Sequence, residues 1–184
     1  PGALSPGRSG APSPPRRVSP LPTLPRAERP LLIAGGGVFY ANQAAALARF
    51  CERCAVPVVV PIWDRGSIDR PIPQFQGVIG AATGGPRLLP DADLVLVCGA
   101  APDYRLNYLE GVRAVTIEPE HLDALEVGPT PEWLAECQRR RDDFRRQFEA
   151  SAIRRASGGI HSLDIVAALR EVLTDETVLL IDGG

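Results

Sequence analysis

The chain has 184 residues and a mass of 19.7 kDa, enough for one well-buried core and little more. Hydrophobic residues make up 45% of it, yet no uninterrupted apolar run approaches the ~20 residues a membrane helix needs, so no membrane association is expected. A formal net charge of −2 gives no basic excess to draw nucleic acid, and all twenty basic residues are arginine, which excludes lysine chemistry such as a Schiff base or a P-loop.

Residues 1–28 are dense in proline, glycine, serine and arginine and show no hydrophobic period. Such a composition buries too little surface to offset its ordering entropy, so a linker or disordered tail is expected there. The segment lacks the charged start, apolar middle and small-residue cleavage site of a secretion signal, and a cytoplasmic location is expected. A chain that starts Pro-Gly and contains no methionine reads as a piece of a longer product.

Leu31 to Ala34 reads as a buried strand that stops on Gly35, Gly36 and Gly37, with a helical pattern after it. Glycine permits positive φ and close backbone approach, and a helix N-terminus offers unpaired N–H groups to an anion such as phosphate. The same three glycines equally suit a sharp turn that packs helix on strand. The dinucleotide fingerprint G-x-G-x-x-G asks for a third spaced glycine, and Tyr40 occupies that place.

Asn42 to Ala55 carries Ala45, Leu47, Phe50, Cys51 and Cys54 at helical spacing, and Val56 to Pro61 reads as a second strand. Cys51 and Cys54 have the spacing of a redox pair or zinc half-site, but no second pair completes four ligands, so buried helix cysteines are expected and no metal site. His121 and His161 lack an acidic or nucleophilic partner at a readable spacing. Pro71 to Pro86 reads as a long glycine-rich loop of the kind that lines a ligand crevice. Leu94 to Cys98 and Arg113 to Ile117 complete four apolar runs without polar alternation, the pattern of a parallel sheet covered on both faces.

Thr130 to Ala152 reads as a charged helix with Trp133, Leu134, Cys137, Phe144 and Phe148 as its apolar positions and an arginine-rich solvated face. After Ser157-Gly158-Gly159, Ser162 to Leu173 reads as an amphipathic helix and Val178 to Ile181 as a strand ending in Asp182-Gly183-Gly184. A helix and one strand have no sheet of their own, so they read as the opening of another α/β domain.

RPLLIAGGGV, PDADLVLVCGAAPDYRLNY and DIVAALREVLTDETVLLIDGG, in that order, resemble the thiamine diphosphate-dependent enzymes of the acetolactate synthase type. The resemblance covers residues 28–121 as a Rossmann-like, doubly wound central domain; residues 133–148 resemble the helical connector, and 161–184 the first helix and strand of the diphosphate-binding domain. It implies a division into residues 1–28, 29–128, 129–157 and 158–184, and a parent enzyme that joins or cleaves 2-oxo acids with thiamine diphosphate and magnesium, assembled as a homodimer or homotetramer. The family's catalytic glutamate and its Gly-Asp-Gly metal motif find no match here, so no catalytic or metal residue is named and the piece alone is expected to be inactive.

Acetolactate synthases also hold FAD, and some relatives ADP, on this domain. Carried over, Gly35, Gly36 and Gly37 would lie beside the nucleotide, Gly99 and Arg105 would help hold it, and Glu118 would sit near its ribose or flavin linker. Gly183 and Gly184 would approach the thiamine cofactor in the complete enzyme. Two departures stand out: Ala101 replaces the arginine usual in FAD-binding members, removing a bidentate phosphate donor, and the run between Glu118 and Pro131 is too short for the strand the family places there. The competing classes are a nicotinamide- or flavin-binding oxidoreductase module, for which Asp64 would be the ribose acid, and a ligand-free interaction domain on the same fold.

Overall fold

The computed structural model describes residues 18–64, 66–80, 85–153, 160, 162–174 and 176–180. Five parallel strands form one sheet: β1 (Pro30–Ala34), β2 (Val58–Pro61), β3 (Phe75–Ile79), β4 (Leu94–Cys98) and β5 (Ala114–Ile117), in the order β3-β2-β1-β4-β5. Leu32 stands opposite Val58 on one side and Leu96 on the other, so β1 is central. The chain runs outward from β1 to one edge and then returns to β1's other side with β4. This reversal opens a crevice at the carboxyl ends of β1 and β4.

The unalternating apolar runs follow from burial on both faces. Leu32, Ala34, Leu96 and Cys98 point into a core shared with helix α2 (Ala44–Cys54), while Leu31, Ile33, Val95 and Val97 point into a second core with Trp133 and Cys137 of α3 (Pro131–Ile153). Successive side chains on a strand leave by opposite faces, so a strand between two helices must be apolar at every position. At roughly 1.5–3 kcal/mol for each large side chain taken from water, these two layers supply the main stabilisation.

Helix α2 buries Ala46, Leu47, Phe50, Cys51 and Cys54 and ends on Ala55 at φ +49°. Helix α3 docks through Trp133 and Cys137 and through Arg140 and Arg141, which donate to Arg87 O and Phe75 O; farther along, Arg139–Asp143 and Arg145–Glu149 pair one turn apart, and Phe144 stacks on Phe148 at 5.9 Å. Phe144 is half-buried and Phe148 exposed, so the two lie outside the buried core. The Trp133 indole donates to Pro30 O at 2.9 Å and ties the helix to the entrance of β1.

The helical pattern right after the glycines is the short α1 (Gly36–Tyr40), set apart from α2 by Asn42 at φ +56°. Three of the sequence expectations change. The Pro71 to Pro86 segment is not all loop, since it contributes the edge strand β3. Residues 18–29, read from composition as linker or disordered tail, have no helix or strand, but Leu24 and Ala27 pack on the α2-side core and the Glu28 and Arg29 amides donate to the Asp93 carboxylate at 2.8 and 2.9 Å. Residues 178–180 are not strand: Val178 and Leu180 are exposed, and strand geometry needs ladder hydrogen bonds from a neighbour that the described residues do not provide. The helix before them is present as α4 (Ser162–Val172), with Ile165 and Val166 exposed. Between Glu118 and Pro131 the described chain forms a 3₁₀ turn, Pro119–His121, and no strand.

Candidate functional site

The turns that leave β1 and β4 are in backbone contact. Gly35 N–H donates to Cys98 O at 2.8 Å and Gly37 N–H to Gly99 O at 2.9 Å. A Cβ on Gly35 would stand 2.3 Å from Gly99 O, and one on Gly37 would stand 2.7 Å from Gly99 Cα. Gly99 itself has φ +63°, where an L side chain is strained. Of the two uses the sequence allowed for these glycines, close backbone packing thus accounts for Gly35, Gly37 and Gly99. Gly36 is different: a Cβ there would meet only the Tyr40 ring, at 3.9 Å.

Gly36 faces a cleft of 410 Å³ lined also by Phe39, Tyr40, Trp63, Asp64 and Gly66. Its amide hydrogen is already engaged, by Asp64 Oδ2 at 3.2 Å. Asp64 lies just beyond β2, on the chain that turns back past the end of β1. Its other carboxylate oxygen accepts from Arg105 Nη1 at 2.6 Å, in a pair whose side chains are only 17% and 13% exposed.

Arg105 is held from three directions. Nη1 also donates to Ile62 O at 2.8 Å, Nε donates to both oxygens of Asp103 at 3.0 Å, and Nη2 lies 2.9 Å from Asp103 Oδ2. Asp103 caps the 3₁₀ segment Tyr104–Leu109 by accepting the Arg105 amide at 3.0 Å. The hydrogen bonds with Asp103 and then Asp64 hold the guanidinium proton more tightly than usual, and the same contact with Arg105 holds the Asp103 carboxyl below its usual range. The segment after β4 is thereby bound to the segment after β2 across the mouth of the sheet.

Gly35, Gly36, Gly37, Gly99 and Arg105 therefore meet at one corner, and Asp64 and Asp103 join them there. Asp103 was not singled out from sequence, and its signal is the cap position before the turn. Asp64 was considered as a ribose acid; its carboxylate points instead to Gly36 and Arg105. Ala101 is exposed beside this corner. Glu118 follows β5, where its carboxylate accepts the Ser19 amide at 3.3 Å and caps the turn completed by His121, whose Nε2 lies 2.9 Å from Ser19 O. Gly183 and Gly184 lie outside the described residues, as does His161.

The four cysteines are buried free thiols. Burial pushes Cys98 and Cys137 up to about 12 and Cys51 higher still, so none of these three is a poised nucleophile. Among the described residues, no group of three or more histidine, cysteine, aspartate or glutamate side chains is arranged to hold a metal ion, and no residue here is assigned to magnesium. No helix among them is long and apolar enough to cross a membrane.

Comparison with known proteins agrees with this architecture. The family model described as "Thiamine pyrophosphate enzyme, central domain" matches residues 21–134. Glyoxylate carboligase of Escherichia coli O157:H7 is 34% identical over 103 residues, and a provisionally assigned 2-ketoarginine decarboxylase of Pseudomonas aeruginosa is 35% identical over 97. These stretches cover 52% and 53% of this chain but 17% of the length of each relative. A solved structure of a provisionally assigned thiamin diphosphate-dependent enzyme from Mycobacterium smegmatis is 25% identical, with a TM-score of 0.43, covering 61% of this chain and 25% of that one. From residue 21 through the first turn of α3, across the whole five-stranded sheet, the chain belongs to the central-domain family of thiamine pyrophosphate enzymes.

Proposed function

We propose that this chain is the central portion of a thiamine diphosphate-dependent enzyme that decarboxylates or ligates 2-oxo acids, as a transferase or lyase of the acetolactate synthase kind. The observation that carries the reading is the family match across the sheet, together with relatives named for a carboligation and a decarboxylation. Thiamine diphosphate supplies the electron sink for bonds made or broken beside a carbonyl. The residues described here contribute position: a rigid sheet, a connector helix fixed at Trp133, and a corner closed by Asp64 and Arg105.

In this reading residues 29–128 are the scaffold, 129–157 the connector, and 158–184 the start of the diphosphate-binding domain, with Gly183 and Gly184 near its cofactor. Magnesium accompanies the diphosphate, the complete enzyme is a cytoplasmic homodimer or homotetramer, and the catalytic groups come from other parts of it. At Gly35, Gly36, Gly37, Gly99, Arg105 and Glu118, where the resemblance implied FAD or ADP, Ala101 offers no side-chain phosphate donor and Arg105 is already paired.

The test is turnover by the full-length polypeptide that carries this segment. With thiamine diphosphate and magnesium added, it is expected to release carbon dioxide from a 2-oxo acid such as glyoxylate or 2-ketoarginine. Binding of the cofactor without turnover on a broad 2-oxo acid panel would refute the activity. The 184-residue chain alone is expected to give no tight calorimetric complex with the same cofactor pair.

A further inference from the structure

The three glycines invite a diphosphate, and the surrounding residues answer that invitation from within the chain. An anion at the β1 corner would take the Gly36 amide hydrogen and the Arg105 guanidinium. Asp64 takes both, with Oδ2 on Gly36 and Oδ1 on Arg105, at 3.2 and 2.6 Å. We propose that Asp64 is a built-in counter-anion that closes this corner to the diphosphate of FAD or ADP.

Three further observations support the assignment. Both Nη1 hydrogens of Arg105 are spent on Asp64 and Ile62 O, while Nε and Nη2 face Asp103, so the guanidinium presents no free fork to a phosphate. Two carboxylates stand around this one guanidinium, so the Asp64–Arg105–Asp103 triad carries a net negative charge that an incoming polyanion would meet. Finally, Gly35, Gly37 and Gly99 are required by contact between the two turns themselves: a Cβ on Gly35 would also stand 2.6 Å from Asp64 Oδ2. The glycines mark a close approach of chain to chain, with the carboxylate packed into it.

Asp64 thus has the cross-linking role that a bound nucleotide would have, joining the exits of β1, β2 and β4. This inference concerns the corner alone and stands whether or not the complete enzyme uses thiamine diphosphate.

The decisive experiment titrates FAD, ADP and inorganic pyrophosphate separately into the 184-residue chain and its Asp64→Ala variant by calorimetry. The unaltered chain is expected to bind none of the three below millimolar concentration. Removing the carboxylate releases the Gly36 amide and one Arg105 hydrogen, so the variant is expected to bind pyrophosphate or ADP roughly tenfold or more tightly than the parent chain. Micromolar FAD or ADP binding by the unaltered chain overturns the proposal, and so does a folded variant with no gain for any ligand. Should Asp64→Ala not fold, the Gly36 amide of the unaltered chain decides by NMR: its resonance stays in place as pyrophosphate is added if Asp64 closes the corner, and a saturable shift overturns the proposal.

Discussion

Gly37 donates its amide hydrogen to Gly99 O at 2.9 Å, so the turns that leave the central strand and its neighbour share a backbone hydrogen bond with no side chain between them. This contact brings the ends of β1 and β4 together and leaves room for little else. At Gly99 a Cβ would stand 2.6 Å from Val38 N, on a backbone whose φ is already +63°.

Gly99→Ala is therefore expected to combine left-handed strain with a backbone collision and to cost roughly 3 kcal/mol or more. Gly111→Ala is the matched control, since its φ is +72° but a Cβ there meets nothing within 4 Å. That substitution should cost only the strain, about 1 kcal/mol. Urea unfolding midpoints of the two variants check the difference; equal losses would show that φ, and not contact between the turns, fixes the glycine.

The strands read from sequence are those with continuous apolar runs, including the edge strand β5, whose burial pattern is mostly open. Leu31 to Ala34 and Leu94 to Cys98 are apolar at every position because α2 and α3 cover opposite sides of them. The edge strand β3 was hidden by its own chemistry: Gln76 is fully buried in it, Gly77 has φ +111°, and the pairing with β2 shifts register between Val58 and Val60. Edge pairing needs neither continuous apolarity nor strict alternation. The glycine turn after β1 was legible in its own residues, and Gly99 and Arg105 came from the family resemblance, whereas the partner of Gly36 lies 28 residues away and only the return of the chain after β2 reveals it. In the same way, proline and arginine content describes residues 18–29 poorly, because their place depends on hydrogen bonds to Asp93, 65 and 64 residues away for Glu28 and Arg29.

The buried thiols give a second expectation. Cys51, Cys54, Cys98 and Cys137 are all free and buried, so a thiol reagent at pH 8 should label none of the four in the folded chain and all four in urea. Burial raises Cys51, Cys98 and Cys137 above their ordinary value of 9.0. The unfolded chain consequently releases these protons first, and the stability linked to them is complete below pH 9 and declines as pH rises above it. Unfolding midpoints between pH 8 and pH 10.5 should fall, and a Cys98→Ala variant should fall less steeply. Rapid labelling of Cys98 in the folded chain would contradict its burial.

At acid pH the Asp103 and Arg105 pair works in the opposite sense. The Arg105 hydrogen bond holds Asp103 below its ordinary 3.8, and Arg49 does the same to Asp123. A carboxyl depressed in the folded state adds stability that is present above the unfolded value and is lost as pH falls through the folded one. Stability should therefore be level from pH 7 to about pH 5 and fall as pH drops below about 4. Asp103→Asn removes one of the titrating groups while keeping a side-chain oxygen for the Arg105 amide. The variant should be less stable than the parent chain at pH 7, and the gap should narrow as pH falls below 3.8. A gap that stays constant down to pH 3 would mean that Asp103 acts through its cap on the Arg105 amide rather than through its charge, because only the ionised carboxylate distinguishes the two chains in a pH-dependent way.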